Sequence, residues 1–216
     1  MPAAAPSRQP GAPIRFSSVE AQWLLAEERR WLAMQLATRP ARPWLWLAPL
    51  LPEANSCPLS SRRGLRLQER AGGYAGTMRC GLPLPLANAC LGDIVLQHPS
   101  PVQAAALLEE CARVLVEGGR LWLFLVNPWS PYRLRRLRDL PAAASGPWRQ
   151  RMRTLGLQAD PPRFLGPRWR MARGADAVHD SALPLRAGCV LVAEKRGLAP
   201  VVPAPLAWRR GAAPAA

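Results

Sequence analysis

Two strand-length apolar runs joined by an amphipathic helix predict an α/β fold built on a parallel sheet. The first run is Asp93-Ile94-Val95-Leu96-Gln97 and the second is Leu121-Trp122-Leu123-Phe124-Leu125-Val126. Between them Ala104, Leu107, Leu108, Cys111, Val114 and Leu115 recur at three- and four-residue spacing, which gathers them on one helix face. Strand, crossover helix and strand make a right-handed unit whose two strands run parallel. The second run is apolar throughout, as a strand covered on both faces requires.

Taken in order, residues 1–16 are rich in Ala and Pro and read as a disordered tail, as does 198–216; the domain spans 17–197. Ser17-x-x-Glu20 is a capping-box pattern that opens a helix reaching about Leu36. Ala21, Leu25, Leu32 and Leu36 line its stripe, with Trp23 and Trp31 broadening it, and the expected place for it is the sheet edge. Pro40 and Pro43 end it. Trp44 to Ala48 is the first strand and Arg63 to Glu69 the second, closed by Ala71-Gly72-Gly73. Gly81 to Cys90 reads as a loop with two prolines. Ser100-Pro101-Val102-Gln103 starts the crossover helix: the serine caps, the proline lacks an N–H that would be unsatisfied there, and the glutamine closes a capping box. Glu117-Gly118-Gly119 is expected to end that helix through a left-handed glycine. Tyr132 to Arg138 reads as a short basic helix or loop, and Trp148 to Leu157 as a helix with Trp148, Met152 and Leu155 inward, stopped by Gly156. Phe164 belongs to a sixth strand and Cys189 to Ala193 to a closing one.

Three segments carry a family resemblance: Leu84-Pro85-Leu86; Leu91-Gly92-Asp93-Ile94-Val95-Leu96-Gln97-His98; and Leu107 through Leu121, ending Glu117-Gly118-Gly119-Arg120-Leu121. Together they resemble the later half of class I S-adenosylmethionine-dependent methyltransferases. Asn127-Pro128-Trp129-Ser130 is similar to a proteobacterial "type 11" methyltransferase-like group. The resemblance covers roughly Ser17 to Arg196. It implies a Rossmann-like, mostly parallel sheet of seven strands with helices on both faces and an antiparallel last strand inserted beside the fifth.

The resemblance also implies a site. Sheets of this kind bind ligands outside the carboxyl ends of their strands. In the family the loop after strand one is glycine-rich; here it reads Ala48-Pro49-Leu50-Leu51-Pro52-Glu53-Ala54-Asn55, with no glycine and two prolines. The family's ribose-binding acid at the end of strand two corresponds to Glu69, which also reads as a surface carboxylate between Arg66 and Arg70. The acid expected near the adenine amine is replaced by Arg79-Cys80-Gly81. Leu82 offers an adenine wall or plain core packing. The family's strand-four aspartate corresponds to Gly92, with Asp93 one position late. His98, at the end of strand four, is the candidate base or hydrogen-bond partner, or a structural histidine. Ala48, Glu69, Leu82 and His98 are thus the candidate S-adenosylmethionine contacts. Asn127-Pro128-Trp129 invites comparison with the NPPY signature of amino-methylating enzymes, but it follows strand five rather than four, so that role is not carried over; Asn127 is read as shaping the cleft rim and Trp129 as packing on the sheet.

The chain carries a formal net charge of +15 with Lys195 as its one lysine. Arginines at 133–138, 149–153 and 168–170 alternate with Tyr132, Trp148 and Trp169. Guanidinium groups pair with phosphates and aromatic rings stack on unpaired bases, so nucleic acid is a candidate partner. Solvated basic helices and a GC-rich coding sequence account for the same pattern. The five cysteines form no C-x-x-C pair, which suits a reducing compartment. No run approaches the ~20 apolar residues of a membrane span and no secretory leader is visible, so the expected location is cytoplasmic. No metal-ligand spacing, hydrolase triad or phosphate loop is apparent. Two functions compete: a methyltransferase of unread small-molecule or macromolecular substrate, and an inactive scaffold that binds RNA or an acidic partner through its arginines.

Overall fold

The computed structural model describes residues 16–49, 63–70, 73–169 and 180–197. Its centre is a nine-stranded sheet: β1 (Trp44–Ala48), β2 (Gly64–Arg70), β3 (Gly73–Gly76), β4 (Arg79–Cys80), β5 (Leu91–Gln97), β6 (Leu115–Val126), β7 (Leu157–Ala159), β8 (Arg163–Leu165) and β9 (Gly188–Lys195). The order is β4-β3-β2-β1-β5-β6-β9-β7, with β8 also on β9. β1 pairs parallel with β2 and β5, and β5 with β6. β3 and β9 run against their neighbours. The sheet is therefore mostly parallel, with the late strand β9 inserted antiparallel beside β6, as expected. Two more strands are present than the seven the resemblance implies: β2, β3 and β4 meander antiparallel at one edge, and β8 and β7 share the far side of β9.

Helices cover both faces. On one, α1 (Val19–Ala37) buries Trp31 and Leu32 against Trp44, Trp46, Val95, Trp122, Phe124 and Val190. This is the middle of the sheet, not its edge: the helix's large apolar side chains need strands on both sides of β5 to be covered. Ser18, rather than Ser17, accepts the Ala21 N–H and caps it. On the other face α2 (Ala104–Val114) and α4 (Ser145–Thr154) bury Leu107, Leu108, Cys111, Trp148 and Met152 over Leu45, Ile94, Leu123 and Leu191.

The turn after α2 also departs from expectation. α2 ends at Val114 and β6 begins at once, so Glu117-Gly118-Gly119 lies inside a strand. The pairing jumps from Leu91–Leu115 to Asp93–Arg120, and Gly118 takes φ 69° in the extra length. The left-handed glycine was foreseen; it serves a bulge rather than a helix end. Phe16, assigned to the tail, is fully buried with Leu24, Leu25, Val126 and Tyr132. The remaining tail residues lie outside the described ones. A short helix, α3 (Pro131–Arg136), follows β6.

Candidate functional site

The parallel strands β1, β2, β5 and β6 all finish on one rim. The chain moves outward from β1 to β2 and then returns to β5 on β1's other side, so the end of β1 is the point at which sheets of this order form their ligand crevice. Glu69 stands on that rim, one residue before the end of β2 and half-buried. Its Oε2 accepts the Ser100 N–H at 3.2 Å. Burial raises the Glu69 carboxyl above its usual value, and the hydrogen bonds from Ser100 pull it partly back. Beside it the Tyr74 hydroxyl donates to Gln103 Oε1 at 3.2 Å. The two contacts fasten the 3₁₀ turn Pro101–Gln103 to β2 and β3, across the end of β1. Ala48 is buried at that end, and Gln68 Nε2 reaches the Pro49 carbonyl at 3.5 Å. The loop beyond Pro49, through position 62, lies outside the described residues.

His98 follows β5 directly. It adopts φ 51°, a left-handed conformation uncommon for a side-chain-bearing residue, and its N–H donates to the Phe124 carbonyl at 3.0 Å. The ring is buried. Its Nε2 lies 2.9 Å from Glu28 Oε2, and Phe16 leans over it with centroids 4.7 Å apart. Gln97 Nε2 donates to the same Glu28 oxygen at 2.8 Å. Glu28 comes from α1 and is fully buried. His98 therefore does not stand open in the crevice. It also walls a cavity of about 50 Å³ with Pro99, Pro101, Leu125, Val126, Ala143 and Trp148. Glu69, Ala48 and Leu82 are not among that cavity's walls.

Leu82 leaves β4 and turns onto the α2 face, half-buried against the main core. The loop after it is pinned by Glu110, which accepts the Leu84 N–H at 2.9 Å, and by Arg113, which donates to the carbonyls of Leu84 and Leu86. Packing accounts for Leu82. Asp93 is buried at the opposite end of β5, 3.5 Å from Arg39 Nη2 and from Trp122 Nε1, so it is structural. Asn127 is buried too. Its side-chain amide donates to the carbonyls of Pro184 and Arg186 at 2.9 and 2.8 Å, and its Oδ1 accepts the Trp129 N–H at 3.1 Å. Trp129 does not pack on the sheet: it is 74% exposed.

No family model matches the chain, and no curated protein matches it. Solved structures do. A methyltransferase of Thermotoga maritima, described as S-adenosylmethionine-dependent and as a possible histamine N-methyltransferase, superposes with a TM-score of 0.50 at 13% identity, over 81% of this chain and 93% of that one. An S-adenosylmethionine-dependent methyltransferase of Archaeoglobus fulgidus gives 0.48 at 11% identity, over 81% and 99%. The fold is that of S-adenosylmethionine-dependent methyltransferases.

Within that fold the described residues fit the cofactor at one point. Glu69 stands at the end of β2 where the ribose-binding acid is expected, with its Oε2 already accepting the Ser100 N–H. The adenine end has Arg79-Cys80-Gly81 where an acid is expected. Burial pushes the thiols of Cys111 and Cys189 up to about 12, so these two are not nucleophiles at neutral pH. Among the described residues no cluster of His, Cys, Asp and Glu has the makings of a metal site.

Sequence reasoning missed Glu28, and a signal for it existed. Positions 21, 25, 28 and 32 form one helical stripe in which a carboxylate interrupts Ala, Leu and Leu. A charge on an apolar stripe needs a buried partner, and the partners lie 69 and 70 residues away.

Proposed function

We propose that the protein is an S-adenosylmethionine-dependent methyltransferase of the type 11-like group, working in the cytoplasm as one domain over residues 17–197. The position of Glu69 carries the reading: a half-buried carboxylate on the rim of a methyltransferase-ordered sheet, beside the crevice at β1. Glu69 holds the ribose hydroxyls, and Ala48 lines the end of β1 beside them. Leu82 stays with the core. When bound, the cofactor supplies an electrophilic methyl group. The chain's own contribution is positioning. His98 lies beneath the rim, its ring buried and its Nε2 edge held by Glu28, so no contact with the acceptor is assigned to it.

Isothermal titration of the full chain with S-adenosylmethionine tests this. Heat release and a rise in melting temperature are expected, with Glu69→Ala weakening binding by about tenfold, as loss of a charged hydrogen-bond acceptor does. No heat and no thermal shift at about 1 mM ligand, where even a weak site stabilises, sinks it.

A second reading draws on the same carboxylate. Ser100 already holds one Glu69 oxygen, and the loop after β1 has no glycine. A scaffold that keeps the fold without the chemistry, and binds RNA or an acidic protein, would tolerate both. It predicts a silent titration.

A further inference from the structure

The Asn-Pro-Trp-Ser turn has no part in the site at Glu69, yet it is strongly built. β6 and β8 end against the same residue, since Val126 and Leu165 both pair with Gly188. The segments that follow them, 127–130 and 166–169, therefore leave the sheet side by side. The chain at 184–187 stitches them together. Asn127 N–H donates to the Ala187 carbonyl at 2.8 Å, Ala187 N–H to Pro167 at 3.0 Å, and Arg186 Nη1 to Gly166 at 2.8 Å. Ser130 is fully buried and its Oγ accepts the Arg133 N–H at 3.4 Å, which caps α3.

This framework holds two large rings in solvent. Trp129 is 74% exposed and Trp169 is 52% exposed. Arg135 and Arg168 flank Trp169, with guanidinium carbons 5.8 and 5.9 Å from its ring centre. Tyr132, Leu137 and Leu140 are the buried anchors of the α3 segment, so the exposed Arg135, Arg136 and Arg138 are not needed for packing. Two carboxylates accompany these arginines among the described residues: Glu20, 3.9 Å from the well-exposed Arg136, and Asp139, next to Arg138 in the chain. A face of exposed aromatic rings among arginines fits a flat, anionic, unpaired partner.

We propose that the face formed by Trp129, α3 and Trp169 binds single-stranded RNA. Bases stack on Trp129 and Trp169 while Arg135, Arg136, Arg138 and Arg168 meet the phosphates. A duplex hides its base faces, and a polycarboxylate such as polyglutamate has no ring to stack, so neither uses the tryptophans. The face lies on the same rim as Glu69, three strand spacings away at β6, or about 14 Å. Binding does not depend on methyl transfer; if both hold, the strand belongs to the acceptor.

The test uses the full chain without cofactor and a fluorescein-labelled, mixed-sequence single-stranded oligoribonucleotide, read by anisotropy. Binding is expected to weaken about fiftyfold between about 50 and 200 mM salt if the four arginines each neutralise one phosphate. Trp129→Ala and Trp169→Ala should each weaken it by roughly tenfold, and Trp129→Phe should keep most of it. All three should melt like the parent, since neither ring belongs to the core. A hairpin duplex and polyglutamate should compete poorly. Equal competition by polyglutamate, full binding by both alanine variants, or no binding at about 50 mM salt overturns the proposal. Because no S-adenosylmethionine is present, failure here is separate from failure of the calorimetric titration.

Discussion

Glu28 is the residue on which the interior of the site turns. Its Oε2 serves both Gln97 and His98, while its Oε1, Gln97 Oε1 and His98 Nδ1 have no hydrogen bond among the described residues. Glu28→Ala should destabilise by roughly 2–6 kcal/mol, because two buried donors lose their partner at about 1–3 kcal/mol each. Glu28→Gln, which keeps an acceptor in place, should lose less. Urea unfolding of the pair measures the difference; equal losses would show that the hydrogen bonds contribute little. Two other carboxylates set opposite pH limbs. Hydrogen bonds from Arg113, then Leu84, hold Glu110 below its usual 4.5, so its contribution is present above that value and is lost as pH falls through the lowered pKa. Burial holds Glu69 above 4.5, so its contribution is full below that value and is lost as pH rises through the raised pKa. Melting temperatures of Glu110→Gln and Glu69→Gln against pH should flatten the acid limb and the rising-pH limb respectively.

At the scale of elements, two places control the rim. α1 is pinned by Trp31, which meets Trp122 and Phe124 edge-on at 6.0 and 6.2 Å. Trp31→Ala should cost about 3–5 kcal/mol, as large core deletions do, and the midpoint of a denaturant melt reports it. The β2–β3 hairpin depends on Gly76, where a Cβ would come 2.1 Å from the Arg66 carbonyl oxygen. That oxygen is backbone and has little freedom to move. Gly76→Ala should therefore destabilise by more than about 1 kcal/mol and, by shifting Glu69 on β2, weaken S-adenosylmethionine binding. Stability loss without any change in the titration would detach the hairpin from the site. The strands β1 and β5 and the helix α2 were legible because their periods differ and each is strongly apolar. The antiparallel β3 and β4 were not, because Gly73–Gly76 and Arg79–Cys80 are short and carry no alternation.

For the whole molecule the decisive term is charge. A formal net charge of +15 on 216 residues makes like-charge repulsion a standing load on the folded state. Added salt should raise the melting temperature between about 20 and 300 mM, because a screening length near 8 Å at physiological ionic strength suppresses repulsion between exposed arginines. A single-stranded polyanion should do the same at far lower concentration if the tryptophan face binds it. Among the described residues no helix is long and apolar enough to cross a membrane.

The sequence alone determined the parallel unit of β5, α2 and β6, the antiparallel insertion of β9, and the place of Glu69 at the end of β2. These follow from local period and from segment resemblance, which neighbours along the chain suffice to express. Only the tertiary structure decided that His98 faces Glu28 rather than an open crevice, that Ser100 reaches Glu69, that Gly118 relieves a bulge, and that Trp129 stands in solvent. Each of those depends on which distant segment arrives beside a residue, and a helical or strand period carries no information about that.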